Sequence, residues 1–252
     1  MSDSDDHNCG YCDHGPHRLE VEGLHVHYGN ICALEGVDFS TECGRSLALL
    51  GANGAGKSTL LKAIAGIVPA PAGSVHWRGE LMVRQRRHEI AYLPQREEVN
   101  WDFPLTVRGL VEMGRYPHVG ALGRFRKADR KAVDDALEVL DLGNLADRHI
   151  RELSGGQQQR TFLARAVAQE AHVLLLDEPF AGLDKPSADR LAQLIGDLKD
   201  KGHLIIACHH DLDTVADLFD EVLLLNREQI SFGPVGEAFN ETTIEAAFAA
   251  RS

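Results

Sequence analysis

Leu49-Leu50-Gly51-Ala52-Asn53-Gly54-Ala55-Gly56-Lys57-Ser58-Thr59 is a G-x-x-x-x-G-K-S run. It lies between an apolar stretch, Leu47 to Leu50, and a helix-like one carrying Leu60, Leu61 and Ile64. Strand, glycine loop, helix is the setting in which this pattern cradles phosphate. The reason is charge: a nucleoside triphosphate gathers several negative charges in a small volume. Gly51, Gly54 and Gly56 let the backbone curl until its N–H groups face inward. The helix that follows adds its positive N-terminal end. Lys57 reaches toward the β- and γ-phosphates, and the Ser58 hydroxyl can hold Mg²⁺. The expected binding segment is Gly51, Ala52, Asn53, Gly54, Ala55, Gly56, Lys57, Ser58 and Thr59.

Two further stretches carry chemistry. Val173-Leu174-Leu175-Leu176-Asp177-Glu178-Pro179 reads as a buried parallel strand ending in two carboxylates. Asp177 at the strand end would sit beside Ser58 and hold Mg²⁺ through water, while Glu178 would orient or deprotonate the attacking water. Leu153-Ser154-Gly155-Gly156-Gln157-Gln158-Gln159-Arg160 reads as a helix start with Ser154 as cap. Its two glycines leave the helix end bare, a second anion site. Such a site can close on the γ-phosphate of a nucleotide held by another copy.

The chain has 252 residues, of which 44% are hydrophobic and 25% charged, which is ordinary for a soluble globular protein. A net charge of −12 argues against nucleic acid, whose binding draws on a basic face. No apolar run reaches the ~18 residues of a membrane span, and the acidic, polar start does not read as a signal peptide. Five scattered cysteines, Cys9, Cys12, Cys32, Cys43 and Cys208, fit reduced thiols in the cytosol.

Patterning predicts an interrupted strand through Leu19, Val21, Leu24, Val26 and Tyr28. Further strands are expected at 33–40, 46–50, 74–77, 90–93, 173–177, 204–208 and 221–225. Helices are predicted over 57–67, 106–114, 127–140, 157–168, 187–198, 212–219 and 237–252. Residues 18–250 therefore read as one α/β domain with a mainly parallel sheet and a helical insertion at about 96–165. Residues 1–17 read as a tail with little to bury.

In order and spacing, Gly51–Thr59, Gln95, Leu153–Gln157, Val173–Pro179, Ala181-Gly182-Leu183-Asp184 and His210 resemble the ATP-binding-cassette (ABC) ATPases along nearly the whole chain. The resemblance implies a P-loop NTPase core of RecA-like type, an antiparallel β subdomain at the N-terminus, and ATP with Mg²⁺ as cofactors. Gln95 would bind Mg²⁺ and the attacking water. Ser154, Gly155, Gly156 and Gln157 would act in trans across a dimer, Asp184 would link the two sites, and His210 would touch the γ-phosphate and support Glu178. Tyr28 would stack on adenine, or else be a plain strand tyrosine. His209, next to His210, is expected to pack at the strand end.

Residues 91–118 are similar to the subfamily that powers uptake of manganese, zinc or chelated iron, through Trp101-Asp102-Phe103-Pro104 and Gly114-Arg115-Tyr116-Pro117-His118. That implies an ATP-hydrolysing subunit at the cytoplasmic face of the membrane. Its partners would be an integral-membrane permease subunit, an extracytoplasmic metal-binding protein and a second copy of itself. Trp101, Phe103, Val107 and Tyr116 would line a groove for a partner helix, or else be core of the insertion. The other reading is a soluble ABC ATPase of iron–sulfur cluster assembly. Lastly, the tail residues His7, Cys9, Cys12, His14 and His17 have the density of donors that suits Zn²⁺ or Mn²⁺, or are incidental.

Overall fold

The computed structural model describes residues 17–82, 88–120 and 123–249. The tail donors His7, Cys9, Cys12 and His14 lie outside them. In chain order the elements begin with β1 (Arg18–Tyr28), β2 (Ile31–Glu42), β3 (Ser46–Leu50) and α1 (Lys57–Ile64). Then come β4 (Ala72–Trp77), β5 (Glu80–Leu81), β6 (Ile90–Leu93), α2 (Val107–Glu112), α3 (Tyr116–Val119) and α4 (Lys127–Val139). The chain continues with α5 (Gly155–Ala168), β7 (Val173–Leu176), α6 (Lys185–Asp200), β8 (Leu204–Cys208) and α7 (Val215–Leu218). It closes with β9 (Glu221–Asn226), β10 (Glu228–Pro234), α8 (Val235–Ala238) and α9 (Glu241–Phe248).

Ten strands among the described residues line up as β5-β4-β1-β2-β10-β9-β3-β8-β7-β6. The strands β9, β3, β8, β7 and β6 pair in parallel, while β5, β4, β1 and β2 form an antiparallel wing. β10 joins the halves, antiparallel to β9 and parallel to β2 through Glu228 and Glu35. The parallel strands are apolar throughout because both faces are covered. Alternation splits them: Ala48, Leu50, Leu174, Leu176, Ile205 and Ala207 face one core with α2, α4, α5 and α6. Leu47, Leu49, Leu175, Leu204 and Ile206 face the other with α1 and the wing.

The predicted architecture is present, with differences at its margins. β1 is one strand, kept continuous by bulges between Val21 and His27. α1 ends at Ile64 rather than at 67. The helix expected over 212–219 is a 3₁₀ turn at Leu212–Thr214 and then a single turn of α-helix. The C-terminal helix is two, because the Asn240 side chain accepts from Thr243 N (3.2 Å) and starts a second one. β5 and β10 were not anticipated; β10 mixes polar residues with Gly233 and Pro234 and finds its place only by pairing with β9. Val107 is fully buried, so it belongs to the core of the insertion and not to a groove. His17 also belongs to the domain: it is buried, its carbonyl accepts from Cys43 N (2.8 Å), and its ring packs edge-on against Trp77 and His172.

Candidate active site

The site lies at the C-terminal ends of the parallel strands, where open α/β sheets hold ligands. A cavity of about 650 Å³ is lined there by Tyr28, Cys32, the loop from Asn53 to Thr59, Gln95, Glu178, His210 and Arg227, among others. Its floor is the phosphate loop, whose path leaves no room for side chains at two points. Gly51 has φ +146°, and a Cβ there would lie 2.2 Å from the Leu225 carbonyl oxygen. Gly56 has φ +98°, and a Cβ would lie 2.5 Å from Leu34. The loop is also braced from the side: Arg227 N donates to Ala55 O (2.9 Å), and Glu35 N donates to Arg227 O (2.8 Å). Asn226 Nδ2 in turn donates to Ala246 O and Ala249 O, both at 3.2 Å.

Lys57 is buried, and its ammonium donates to the carbonyls of Gly51 (2.7 Å) and Ala52 (3.1 Å). Burial lowers its pKa, with Cys208, Glu178 and Asp177 pulling the other way. Ser58 Oγ donates to Asp177 Oδ1 (3.0 Å), and Tyr92 OH donates to Asp177 Oδ2 (3.1 Å). Asp177 is 2% exposed, so both of its oxygens are satisfied without solvent. Burial, then the Asp177 charge, pushes the Tyr92 hydroxyl well above the ordinary phenol range, so it stays a donor. Burial likewise raises the Cys208 thiol, which also meets Asp177.

Glu178 is the meeting point of the expected catalytic residues. Gln95 Nε2 donates to its Oε2 (2.5 Å), and His210 Nε2 lies 2.7 Å from its Oε1. A carboxylate only accepts, so the His210 proton sits on Nε2. His209 faces elsewhere: it is buried between Phe180 and Phe219, with Nε2 2.8 Å from Thr214 Oγ1.

Ser154, Gly155, Gly156, Gln157 and Asp184 do not line this cavity. Ser154 caps α5 reciprocally: its Oγ accepts from Gln157 N (3.4 Å) while its own N donates to Gln157 Oε1 (2.9 Å). Arg96, next to Gln95, donates from Nε to Gln158 Oε1 (2.8 Å) and brings its guanidinium against Gly155. Arg96 O accepts from Trp101 Nε1 (3.0 Å). Phe103 and Tyr116, at 54% exposed each, stand on the insertion's surface, whereas Trp101 is half-buried against Phe162. Sequence reading missed Tyr92, Arg96, Cys32 and Arg227. None sits in a motif; strand pairing and the hairpin after β9 place them.

The donors fit a magnesium-bound triphosphate. The Lys57 ammonium rests on loop carbonyls that phosphate oxygens can replace. The α1 N-terminus carries no side-chain cap, so its amides are open to an anion. Ser58 beside Asp177 offers the hard oxygen donors that Mg²⁺ takes.

Sheet order, phosphate loop and paired carboxylates define a P-loop ATPase domain. Comparison with known proteins narrows the class: the model of the ABC transporter family matches residues 34–181, and the chain belongs to that family. It is 41% identical over 230 residues to the manganese transport system ATP-binding protein MntB of Listeria monocytogenes, covering 91% of this chain and 95% of that one. It is 43% identical over 233 residues to the zinc transport system ATP-binding protein TroB of Treponema pallidum, covering 92% and 87%. Among solved structures, an inward-facing transporter described as of metal-chelate ABC type superposes with a TM-score of 0.80 at 31% identity, covering 92% and 88%. Membership makes the chain an ATP-hydrolysing transport subunit, with ATP and Mg²⁺, a permease partner and paired cassettes as family attributes. No described helix is long and apolar enough to cross a membrane.

Proposed function

We propose that this chain powers import of a transition metal, with manganese, zinc or chelated iron as cargo. The observation that carries it is the convergence of Gln95 and His210 on Glu178, in a chain that matches manganese and zinc transport ATPases over nine-tenths of its length. Those matches, with the Trp101–Pro104 segment, favour the transporter over a soluble iron–sulfur assembly ATPase. The chain would sit at the cytoplasmic face of the membrane beneath an integral-membrane subunit fed by an extracytoplasmic metal-binding protein.

Within the site, amides from Asn53 to Thr59 cradle the phosphates, and Lys57 moves from its loop carbonyls to the β- and γ-phosphates. Tyr28 stacks on adenine from the cavity wall. Ser58, Asp177 and Gln95 would hold Mg²⁺, whose charge would offset that of the phosphates. Glu178, fixed from both sides, orients or deprotonates the attacking water. His210 keeps Glu178 in place and faces the γ-phosphate. Ser154 to Gln157 serve the nucleotide of a second copy, and Asp184 links the two sites, which agrees with their standing outside this chain's own cavity.

Replacing the native gene by Lys57→Ala in its host, and following uptake of radiolabelled manganese, zinc and ferric chelate, tests the assignment. Loss of one of the three is expected; undiminished uptake of all three overturns it. For the tail, His7, Cys9, Cys12 and His14 make four donors, enough for a tetrahedral site. Zinc and manganese titrations of the full chain, and of one lacking residues 1–16, should differ by one equivalent. Equal stoichiometry removes the tail site.

A further inference from the structure

Asp177 meets the side chains of Ser58, Tyr92 and Cys208, and of these only Ser58 belongs to a sequence motif. Its Oδ1 accepts from Ser58 Oγ on α1, and its Oδ2 from the phenol of Tyr92 on β6. Strand register makes this contact. Tyr92 lies opposite Leu175 in the parallel β6–β7 pair, and Asp177, two residues on from Leu175, points to the same sheet face. The register is pinned at this end, because Asp177 N donates to Leu93 O (3.0 Å). Arg165 Nη2 donates to Tyr92 O (2.9 Å), tying the same strand to α5.

A hydroxyl that ligates a cation must present a lone pair to it, so its proton must point elsewhere. Asp177 Oδ1 takes that proton from Ser58. The carboxylate performs this service only if it does not turn about Cβ–Cγ toward the nearby Lys57 ammonium. With Oδ2 anchored on the phenol, that rotation costs a charge-assisted hydrogen bond in a buried setting.

We infer that Tyr92 is a positioning residue for the Mg²⁺ site, fixing the rotamer of Asp177 and through it the orientation of the Ser58 hydroxyl. The inference rests on the proposed roles of Ser58 and Asp177. It makes Tyr92 matter to the metal and not to the triphosphate, which the loop amides and Lys57 hold by themselves.

The test is nucleotide-dependent Mn²⁺ binding, Mn²⁺ standing in for Mg²⁺, read by electron paramagnetic resonance with a non-hydrolysable ATP analogue. Tyr92→Phe keeps the ring and deletes the hydroxyl. Mn²⁺ affinity should fall by about 10-fold, the low end of the cost of losing an outer-shell partner, because Tyr92 acts one step further out through Asp177. Affinity for the analogue in chelator should stay as in wild type, as should the melting temperature of the nucleotide-free protein. Unchanged Mn²⁺ affinity overturns the inference, and so does equal weakening of analogue binding in chelator. A double-mutant cycle covers a variant that loses stability. If Tyr92 acts through Asp177, Tyr92→Phe has no further effect on Mn²⁺ in an Asp177→Asn background; a full effect there overturns the inference. Should Asp177→Asn alone leave Mn²⁺ binding intact, the metal role of Asp177 fails first and takes this one with it.

Discussion

Glu178 is a non-glycine residue held at φ +49°, in the left-handed region that a glutamate seldom enters. Strain of this kind costs on the order of 1–3 kcal/mol and persists where surroundings over-determine it. Here Gln95 and His210 do so from opposite carboxylate oxygens. Glu178→Gln removes the proposed base and keeps the shape, so turnover should drop by about 10²–10⁴-fold while ATP binding survives. The same variant should accumulate as an ATP-bound dimer in size-exclusion chromatography; near-normal phosphate release would refute the role. Gly51→Ala belongs to the same scale. Its methyl meets the Leu225 carbonyl, so a loss of about 1–3 kcal/mol in thermal unfolding is expected, together with weakened nucleotide binding.

The elements that carry the site were legible because motif and periodicity coincide there: a short all-apolar strand before a glycine loop, and a strand closing on Asp177 and Glu178. Elements whose place depends on a distant partner were not. β10 has no clean alternation and exists as a strand because β9 offers it an edge. Beside Trp101 and Phe103, Val107 reads equally as groove or as core, and the choice is made by Thr106, which caps α2 and turns Val107 inward. The contacts of Tyr92 and Arg96 follow from register and crossing, which local sequence does not encode. Arg96 joins the segment after Gln95 to the start of α5, the end proposed above to serve the nucleotide of a second copy. In the Glu178→Gln background, Arg96→Ala gives up a hydrogen bond from a charged donor, worth about 1.5 kcal/mol. Sedimentation should show weaker ATP-dependent pairing, by at most about tenfold if the bond counts in the paired state alone, with ATP affinity per chain unchanged. Equal pairing would mean that the bond is ornamental.

Across the molecule, several imidazoles are enclosed rather than displayed. Burial lowers the pKa of His172, His203 and His209 below the ordinary 6.5. The unfolded chain therefore binds their protons more readily. Stability from these groups is complete above that ordinary value and drains away as pH falls below it. Glu221, raised by burial, acts in the opposite sense at lower pH. Melting temperature should thus decline between about pH 7 and pH 5.5, since three groups outweigh one; a flat profile contradicts this. The hairpin after β9 has a longer reach than its size implies. Asn226 grips the carbonyls of Ala246 and Ala249, and its neighbour Arg227 grips the loop beneath the cavity. The last helix is thereby tied, through one hairpin, to the loop that floors the cavity. A change at Asn226 thus has a short path of hydrogen bonds to the carbonyl of Ala55, far shorter than its distance along the chain from the glycine loop implies.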